Sequence, residues 1–174
     1  MYKDLYETLE MYQAKPWYIL VVGAPGAGKS TLAKALVAKY GVIRFSTDDV
    51  IDRRAKKLNV TYAKAFESAP FGAIVEEMKI PIFQAVNMRN HVLLDQTSMT
   101  RDSRAKKLLW CGDTHFKICI DLCGLSVDQL DARVRARVRA GGRHIPRHII
   151  ADMLCKYERP TADEGFNLIY RFTP

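Results

Sequence analysis

Gly23-Ala24-Pro25-Gly26-Ala27-Gly28-Lys29-Ser30, followed by Thr31, fills every defined position of G-x-x-x-x-G-K-[ST]. Glycines suit phosphate binding because the backbone can turn tightly and aim successive N–H groups at anionic oxygens, which a Cβ would obstruct. A lysine at position 29 reaches the β- and γ-phosphates of a nucleoside triphosphate, and a hydroxyl at position 30 can ligate Mg²⁺. The positive end of a following helix adds to the same anion site and brings Thr31 near the phosphates. Residues 23–31 are therefore expected to hold ATP together with Mg²⁺.

Such a loop serves transferases, hydrolases and switches alike, so the acids and arginines downstream must distinguish them. Asp48 and Asp49 lie in RFSTDDV, after a short β-favouring run, where a parallel strand delivers side chains to a ligand crevice. A carboxylate there can orient an acceptor hydroxyl and take its proton, which makes Asp48 the candidate general base. The same segment also reads as a helix start near Val50, with Thr47, Asp48 or Asp49 as its cap. Asp95 closes HVLLD and Thr97 follows it. An acid in that place holds Mg²⁺ directly or through water, although DQTSMT is also turn-like and Thr100 can cap the next helix.

The third group is cationic. On a helix from Leu130 to Ala140, Leu130, Val134 and Val138 form an apolar stripe, flanked by Arg133 with Arg137 and by Arg135 with Arg139. Gly141-Gly142 should end this helix and leave Arg143 in a connection before Ile145-Pro146. Residues from about 130 to 147 thus describe a lid that carries an arginine over the triphosphate to stabilise charge on the transferring group. Arg139 and Arg143 are the leading candidates, and at least two of the five arginines are expected to be solvated only.

Positioning these groups requires an alternation of strands and helices. Trp17–Val22 (WYILVV) reads as a buried strand, as do Val42–Phe45, His91–Leu94, Phe116–Leu122 and Asn167–Phe172. Helical spacing predicts helices over Leu5–Met11, the segment holding Leu32, Ala33, Leu36 and Val37, Ala73–Met88, Thr100–Trp110, Val127–Ala140 and Pro146–Tyr157. Pro81 should kink or break its helix, and a polar and aromatic stretch around Asn59–Phe71 precedes it. The expected fold is α/β, three layers, with a central, mostly parallel five-stranded sheet and helices on both faces.

The 174 residues suit one domain, 1–174, with ordinary globular composition. Four cysteines without a C-x-x-C pair fit a reduced, cytoplasmic chain, with Cys119 and Cys155 as small buried hydrophobes. No apolar run approaches membrane-spanning length and the N-terminus has no export leader. An excess of 27 Lys and Arg over 19 Asp and Glu leaves a polyanionic partner and a merely soluble basic surface equally open.

The order of glycine loop, strand-end aspartate, DQT segment and arginine lid resembles the 5′-polynucleotide kinases. The most specific part is HIPRHIIADMLCKYERPTADEGF, with His144-Ile145-Pro146, Pro160-Thr161 and Glu164-Gly165-Phe166. The resemblance spans roughly Tyr18 to Phe172 and leaves the N-terminal helix, residues 1–15, outside. It implies a P-loop kinase fold and phosphate transfer from ATP, with Mg²⁺, to the 5′-OH of DNA or RNA, DNA being favoured. Lys29 and Ser30 would serve the triphosphate and metal, Asp48 would be the base, Asp95 with Thr97 would face acceptor and metal, and Arg139 would be the transition-state arginine.

The chain departs from the family pattern at Thr47, where an arginine is frequent, and at Ile51, where phage-type members carry another. Arg53 or Arg54 would then substitute on the acceptor side. Kinases of similar appearance that phosphorylate a 5-hydroxymethyl pyrimidine such as 5-hydroxymethyluracil in phage DNA supply a second expectation. Small-molecule kinases of the zeta-toxin type, whose lid R-V-R-A-G-G-R-H-I-P resembles, supply a third, and a nucleotide-dependent switch without an acceptor a fourth.

Overall fold

In the computed structural model, which describes residues 2–172, five strands form one parallel sheet in the order β2-β3-β1-β4-β5. The strands are β1 (Trp17–Val22), β2 (Ile43–Phe45), β3 (Val92–Leu94), β4 (Phe116–Asp121) and β5 (Leu168–Arg171). The helices are α1 (Lys3–Glu10), α2 (Lys29–Tyr40), α3 (Thr47–Leu58), α4 (Tyr62–Glu67), α5 (Phe71–Asn87), α6 (Arg101–Leu108), α7 (Val127–Arg139) and α8 (Arg147–Cys155).

β1 is apolar throughout because helices cover both of its faces. Tyr18, Leu20 and Val22 pack with Val50 and Ile51 of α3, Ile74, Met78 and Ile82 of α5, Leu130 and Val134 of α7, and Ile150 of α8. Trp17, Ile19 and Val21 point the other way, onto Leu5 and Leu9 of α1 and Leu32, Ala33 and Leu36 of α2. The sheet order places β1 between the strands that follow it, β3 on one side and β4 on the other. A crevice therefore opens beyond the carboxyl ends of β1 and β3, the usual ligand position in an open parallel sheet.

Several local expectations are corrected. Pro81 does not break α5, because the buried stripe of Ile74, Met78, Ile82 and Ala85 runs past it and outweighs one missing hydrogen bond. The polar and aromatic stretch contains a helix the sequence did not announce, α4, whose start is capped by Thr61 accepting from the Lys64 N–H. Helix α3 starts at Thr47, earlier than expected, because the hydroxyl of Ser46, not Thr47, Asp48 or Asp49, caps it by accepting from the Asp48 N–H. Cys155 ends α8 in an exposed position, whereas Cys119 in β4 is buried as expected. Among the described residues no helix is long and apolar enough to cross a membrane.

The C-terminal motif fastens the sheet to α6. Arg104 donates to both Glu164 carboxylate oxygens, at 2.6 and 2.8 Å, and also to the Ser98 and Met99 carbonyls, with 0% of its side chain and 2% of that of Glu164 exposed. Burial pushes the Glu164 pKa up, but Arg104 and the Thr161 N–H outweigh it and hold the carboxyl below its ordinary value. The folded pKa is depressed, so this stabilisation is complete at neutral pH and is lost as the pH falls through the acid range. Glu164→Gln leaves a buried guanidinium without its charge partner and should cost ~3–5 kcal/mol in urea unfolding at pH 7. A cost below 1 kcal/mol would show that the pair does not hold the motif.

Candidate active site

The glycine loop joins β1 to α2 and is shaped by two left-handed residues, Gly26 at φ 87° and Gly28 at φ 100°. A Cβ on Gly26 would lie 2.8 Å from the Leu130 carbonyl oxygen, so the absent side chain also lets the loop rest on α7. The Gly23 N–H donates to the Thr97 carbonyl at 3.0 Å, and the Ala27 N–H to the Ala24 carbonyl at 3.1 Å, which ties the loop to the DQT segment. Lys29 Nζ folds back to donate to the Ala24 carbonyl at 3.0 Å. Burial and, more weakly, Arg137 push the Lys29 pKa down, while Asp95 and Asp48 oppose them. A bound triphosphate would supply the counter-charge that keeps this ammonium protonated.

One cavity of about 1200 Å³ runs from this loop across the carboxyl ends of β1 and β3. It exceeds the roughly 300–1,000 Å³ of a typical single-ligand site and can hold a donor and an acceptor together. Pro25, Gly26, Gly28, Lys29, Ser30 and Thr31 border one part of it, and Asp48, Asp95 and Thr97 border it as well. Gly23, Ala24 and Ala27 shape the loop from behind without bordering the cavity.

Asp48 is exposed on the first turn of α3, yet both of its oxygens have partners. Tyr62 Oη donates to Oδ1 at 2.8 Å, and Arg143 Nη1 reaches Oδ2 at 3.0 Å. Arg143 also grips both oxygens of Asp52, at 2.7 and 2.6 Å, and its guanidinium lies 3.6 Å from the Tyr62 ring centroid. The lid arginine is thus docked on α3 and α4 and does not border the cavity. Burial, reinforced by the Asp48 hydrogen bond, pushes the Tyr62 pKa up, so its hydroxyl keeps its proton at neutral pH.

Asp95 is buried and bound to Arg44, which donates to Oδ2 through Nε at 2.8 Å and Nη2 at 2.7 Å, while Nη1 reaches Asp49 at 2.6 Å. Arg44 is a bridge that β-strand reading alone did not single out. Arg53 is exposed and loosely paired with Glu77 at 3.9 Å, Arg54 pairs with Glu77 at 2.9 Å, and neither borders the cavity.

Leu130 and Val134 turn one side of α7 into the core, which brings Arg133 and Arg137 to the cavity wall. Arg137 Nη2 also donates to the Arg143 carbonyl at 3.2 Å. Arg139 is exposed and does not border the cavity. Arg135 is paired with Asp131 at 2.6 Å.

No group of three or more His, Cys, Asp or Glu side chains that could hold a metal occurs among the described residues. The Ser30 hydroxyl and the Asp95 carboxylate offer hard oxygen donors on the same cavity, which fits a Mg²⁺ ion that takes few protein ligands and completes its shell with phosphates and water. Sequence reasoning also missed Tyr62, Gln96, Lys107 and Trp110, which border the cavity. Their local patterns carry no motif, and only the chain's tertiary path brings them there.

A glycine loop between β1 and α2, facing two strand-end acids across a crevice over a five-stranded parallel sheet, is the arrangement of a P-loop kinase fold. The chain belongs to the AAA domain family, which matches residues 19–160. The chain is similar to a solved putative kinase from Chloroflexus aurantiacus, with a TM-score of 0.68 at 16% identity over 91% of this chain and 85% of that one. It is also similar in fold to a chain of the Pnkp1/Rnl/Hen1 RNA repair complex, with a TM-score of 0.67 at 21% identity over 82% of this chain and 44% of that one. In sequence it is 32% identical over 102 residues to the adenylate kinase of Geotalea daltonii, covering 54% of this chain and 48% of that protein. The chain spans less than half the length of the curated relatives it matches.

Proposed function

We propose that the chain transfers the γ-phosphate of ATP to a hydroxyl of a nucleic acid, foremost the 5′-OH end of DNA or RNA. The observation that carries this reading is the shared cavity: the phosphate loop and Asp48 border one space too large for the triphosphate alone. The +8 net charge, the fold-level likeness to the RNA repair complex and the resemblance of the C-terminal motif support a nucleic-acid acceptor.

Loop N–H groups and Lys29 bind the β- and γ-phosphates. Ser30 and Asp95 would hold Mg²⁺, which would supply neutralisation of the triphosphate's negative charge. Asp48 orients the acceptor oxygen and takes its proton as the new O–P bond forms and the bond from Pγ to the β-phosphate oxygen breaks, leaving ADP. Oδ2 becomes available when Arg143 withdraws from it, while Tyr62 continues to fix Oδ1. Arg137, with Arg133, stabilises charge on the transferring group from the α7 side. Chemistry is direct, without a phosphorylated side chain.

Asp48→Asn keeps the shape and the Tyr62 partner but not the base, so transfer should fall about 100-fold, at the low end for a lost general base, with ATP affinity kept. A nucleotide-dependent switch would instead retain its turnover. A second reading, transfer to the hydroxymethyl group of a pyrimidine within DNA, is favoured by the aromatic and apolar wall of Phe66, Phe71 and Trp110, which suits an extruded base. Labelled γ-phosphate offered to matched oligonucleotides with a free 5′-OH, a blocked 5′ end, or an internal hydroxymethyl pyrimidine identifies the acceptor by the labelled position. Polymer acceptors should lose affinity steeply with salt, and a flat response would assign a small-molecule acceptor instead.

A further inference from the structure

Gln96 lies between Asp95 and Thr97 on the chain that leaves β3, is only 8% exposed and borders the cavity. Its amide has almost no partner within the protein. Oε1 accepts no hydrogen bond, and Nε2 reaches only the Met78 thioether, at 3.9 Å. Oε1 is the one buried side-chain polar atom in that condition among the described residues. Leaving such a group unmet costs about 1–3 kcal/mol, so native proteins pair nearly all of them. Whichever way the amide is turned, its hydrogen-bonding capacity is largely unused within the protein, on a residue that borders the cavity.

Two neighbours complete the wall. Lys107 is 9% exposed, borders the same cavity and spends one of its three N–H donors on Ser98 Oγ at 2.7 Å. Burial, with the like charges of Arg104 and Lys29, pushes the Lys107 pKa down to about 7. A ligand oxygen or ring nitrogen that accepts from this ammonium would favour its charged form. Trp110, also 9% exposed, borders the cavity too, and Lys79, which borders it as well, has Nζ 5.8 Å from the ring centroid.

We infer that Gln96, Lys107 and Trp110 form a recognition subsite for the base of the nucleotide that carries the accepting hydroxyl. Gln96 Oε1 accepts from an N–H on the edge of the ring, Lys107 or Gln96 Nε2 donates to an adjacent ring nitrogen or carbonyl, and the ring packs on Trp110. A planar heterocycle with neighbouring donor and acceptor meets all three demands at once. A sugar lacks the flat apolar face, and a hydrocarbon ring lacks the polar edge. This inference rests on the nucleic-acid reading of the acceptor and adds that the enzyme grips the base as well as the backbone.

The test pairs Gln96→Leu with acceptors that keep or lack the base. Wild-type enzyme should phosphorylate an oligonucleotide with a normal 5′ nucleoside at least about tenfold more efficiently in kcat/KM than one whose 5′ residue is abasic. In the variant that ratio should fall toward one, with a melting temperature equal to or above wild type because an unpaired buried polar group has been removed. Calorimetric titration with thymidine and with 2-deoxyribose reads the same subsite without transfer: thymidine should bind and weaken at least about tenfold in the variant, and deoxyribose should not bind. Thymidine binding that depends on Gln96, with no transfer to any oligonucleotide, would overturn the proposed function and keep the subsite. Equal transfer to normal and abasic ends, or thymidine binding indifferent to the substitution, would overturn the subsite and keep the proposed function.

Discussion

Lys29→Ala should lower phosphate transfer by at least about a thousandfold while the protein remains folded. The expectation follows from what surrounds the ammonium. It sits on the Ala24 carbonyl at 3.0 Å, half-buried, at the start of α2, with Asp95 and Asp48 as the nearest carboxylates that favour its charge. A charge donor already held in place costs no reorganisation when negative charge moves onto the leaving β-phosphate, which is why removing one such donor typically costs 10²–10³ in rate. In the proposed reaction Lys29 would bear on both the β- and γ-phosphates, which places it at or above the upper end, about 4 kcal/mol of barrier.

No neighbour can take over. Lys34 is exposed further along α2, and Lys107 stands on α6, with one donor on Ser98 Oγ at 2.7 Å, and not on the glycine loop. The variant also loses a half-buried cation that sits against a carbonyl, so its melting temperature should hold or rise. Single-turnover transfer of labelled phosphate, read beside the melting curve, checks both parts. A folded variant with near-normal turnover would remove Lys29, and with it the glycine loop, from the chemistry.

The loop and the sheet were legible because their signals are local. WYILVV is apolar at six successive positions, which only a strand covered on both faces satisfies, and the glycine pattern follows it directly. Asp95 and Thr97 could be placed for the same reason, as residues just beyond a short buried strand.

What escaped the sequence is set by contacts between distant segments. Arg44, which also holds Asp49, reaches Asp95 across 51 positions, and Arg143 reaches Asp52 across 91. Periodicity carries no trace of either. Helix α4 is six residues long, too short for an apolar repeat to emerge, and its Tyr62 gains meaning only when its hydroxyl meets Asp48. Gln96 looked like turn filler within DQT. Its unpaired amide is a property of burial and of Met78 opposite, neither of which spacing encodes.

Arg137→Ala should reduce turnover roughly thousandfold, whereas Arg139→Ala should change it by no more than a few-fold. The resemblance to polynucleotide kinases points to Arg139, but helical geometry separates the two residues by about 160° around the axis, at 3.6 residues per turn. Leu130 and Val134 fix the rotation of α7 by entering the core, and with that rotation Arg133 and Arg137 border the cavity while Arg139 is solvated. Two further contacts hold Arg137. Its Nη2 donates to the Arg143 carbonyl at 3.2 Å, and Gly142 passes so close that a Cβ there would lie 2.5 Å from Arg137 Cγ. Arg137 and Lys29 border the same cavity, the one the triphosphate would fill.

A cation there would act on the charge of the transferring group, for which arginine is worth roughly 10³–10⁵ in rate. The lower end applies because Arg133 borders the same wall and retains part of the field. Arg137→Lys should recover little, since an ammonium cannot make the paired planar contacts of a guanidinium to phosphate oxygens. Parallel kcat measurements on the three variants, with ATP affinity as control, read this out. A large loss in Arg139→Ala with a small one in Arg137→Ala would require α7 to turn about half a revolution during catalysis, pulling Leu130 and Val134 out of the core, and would remove Arg137 from the chemistry.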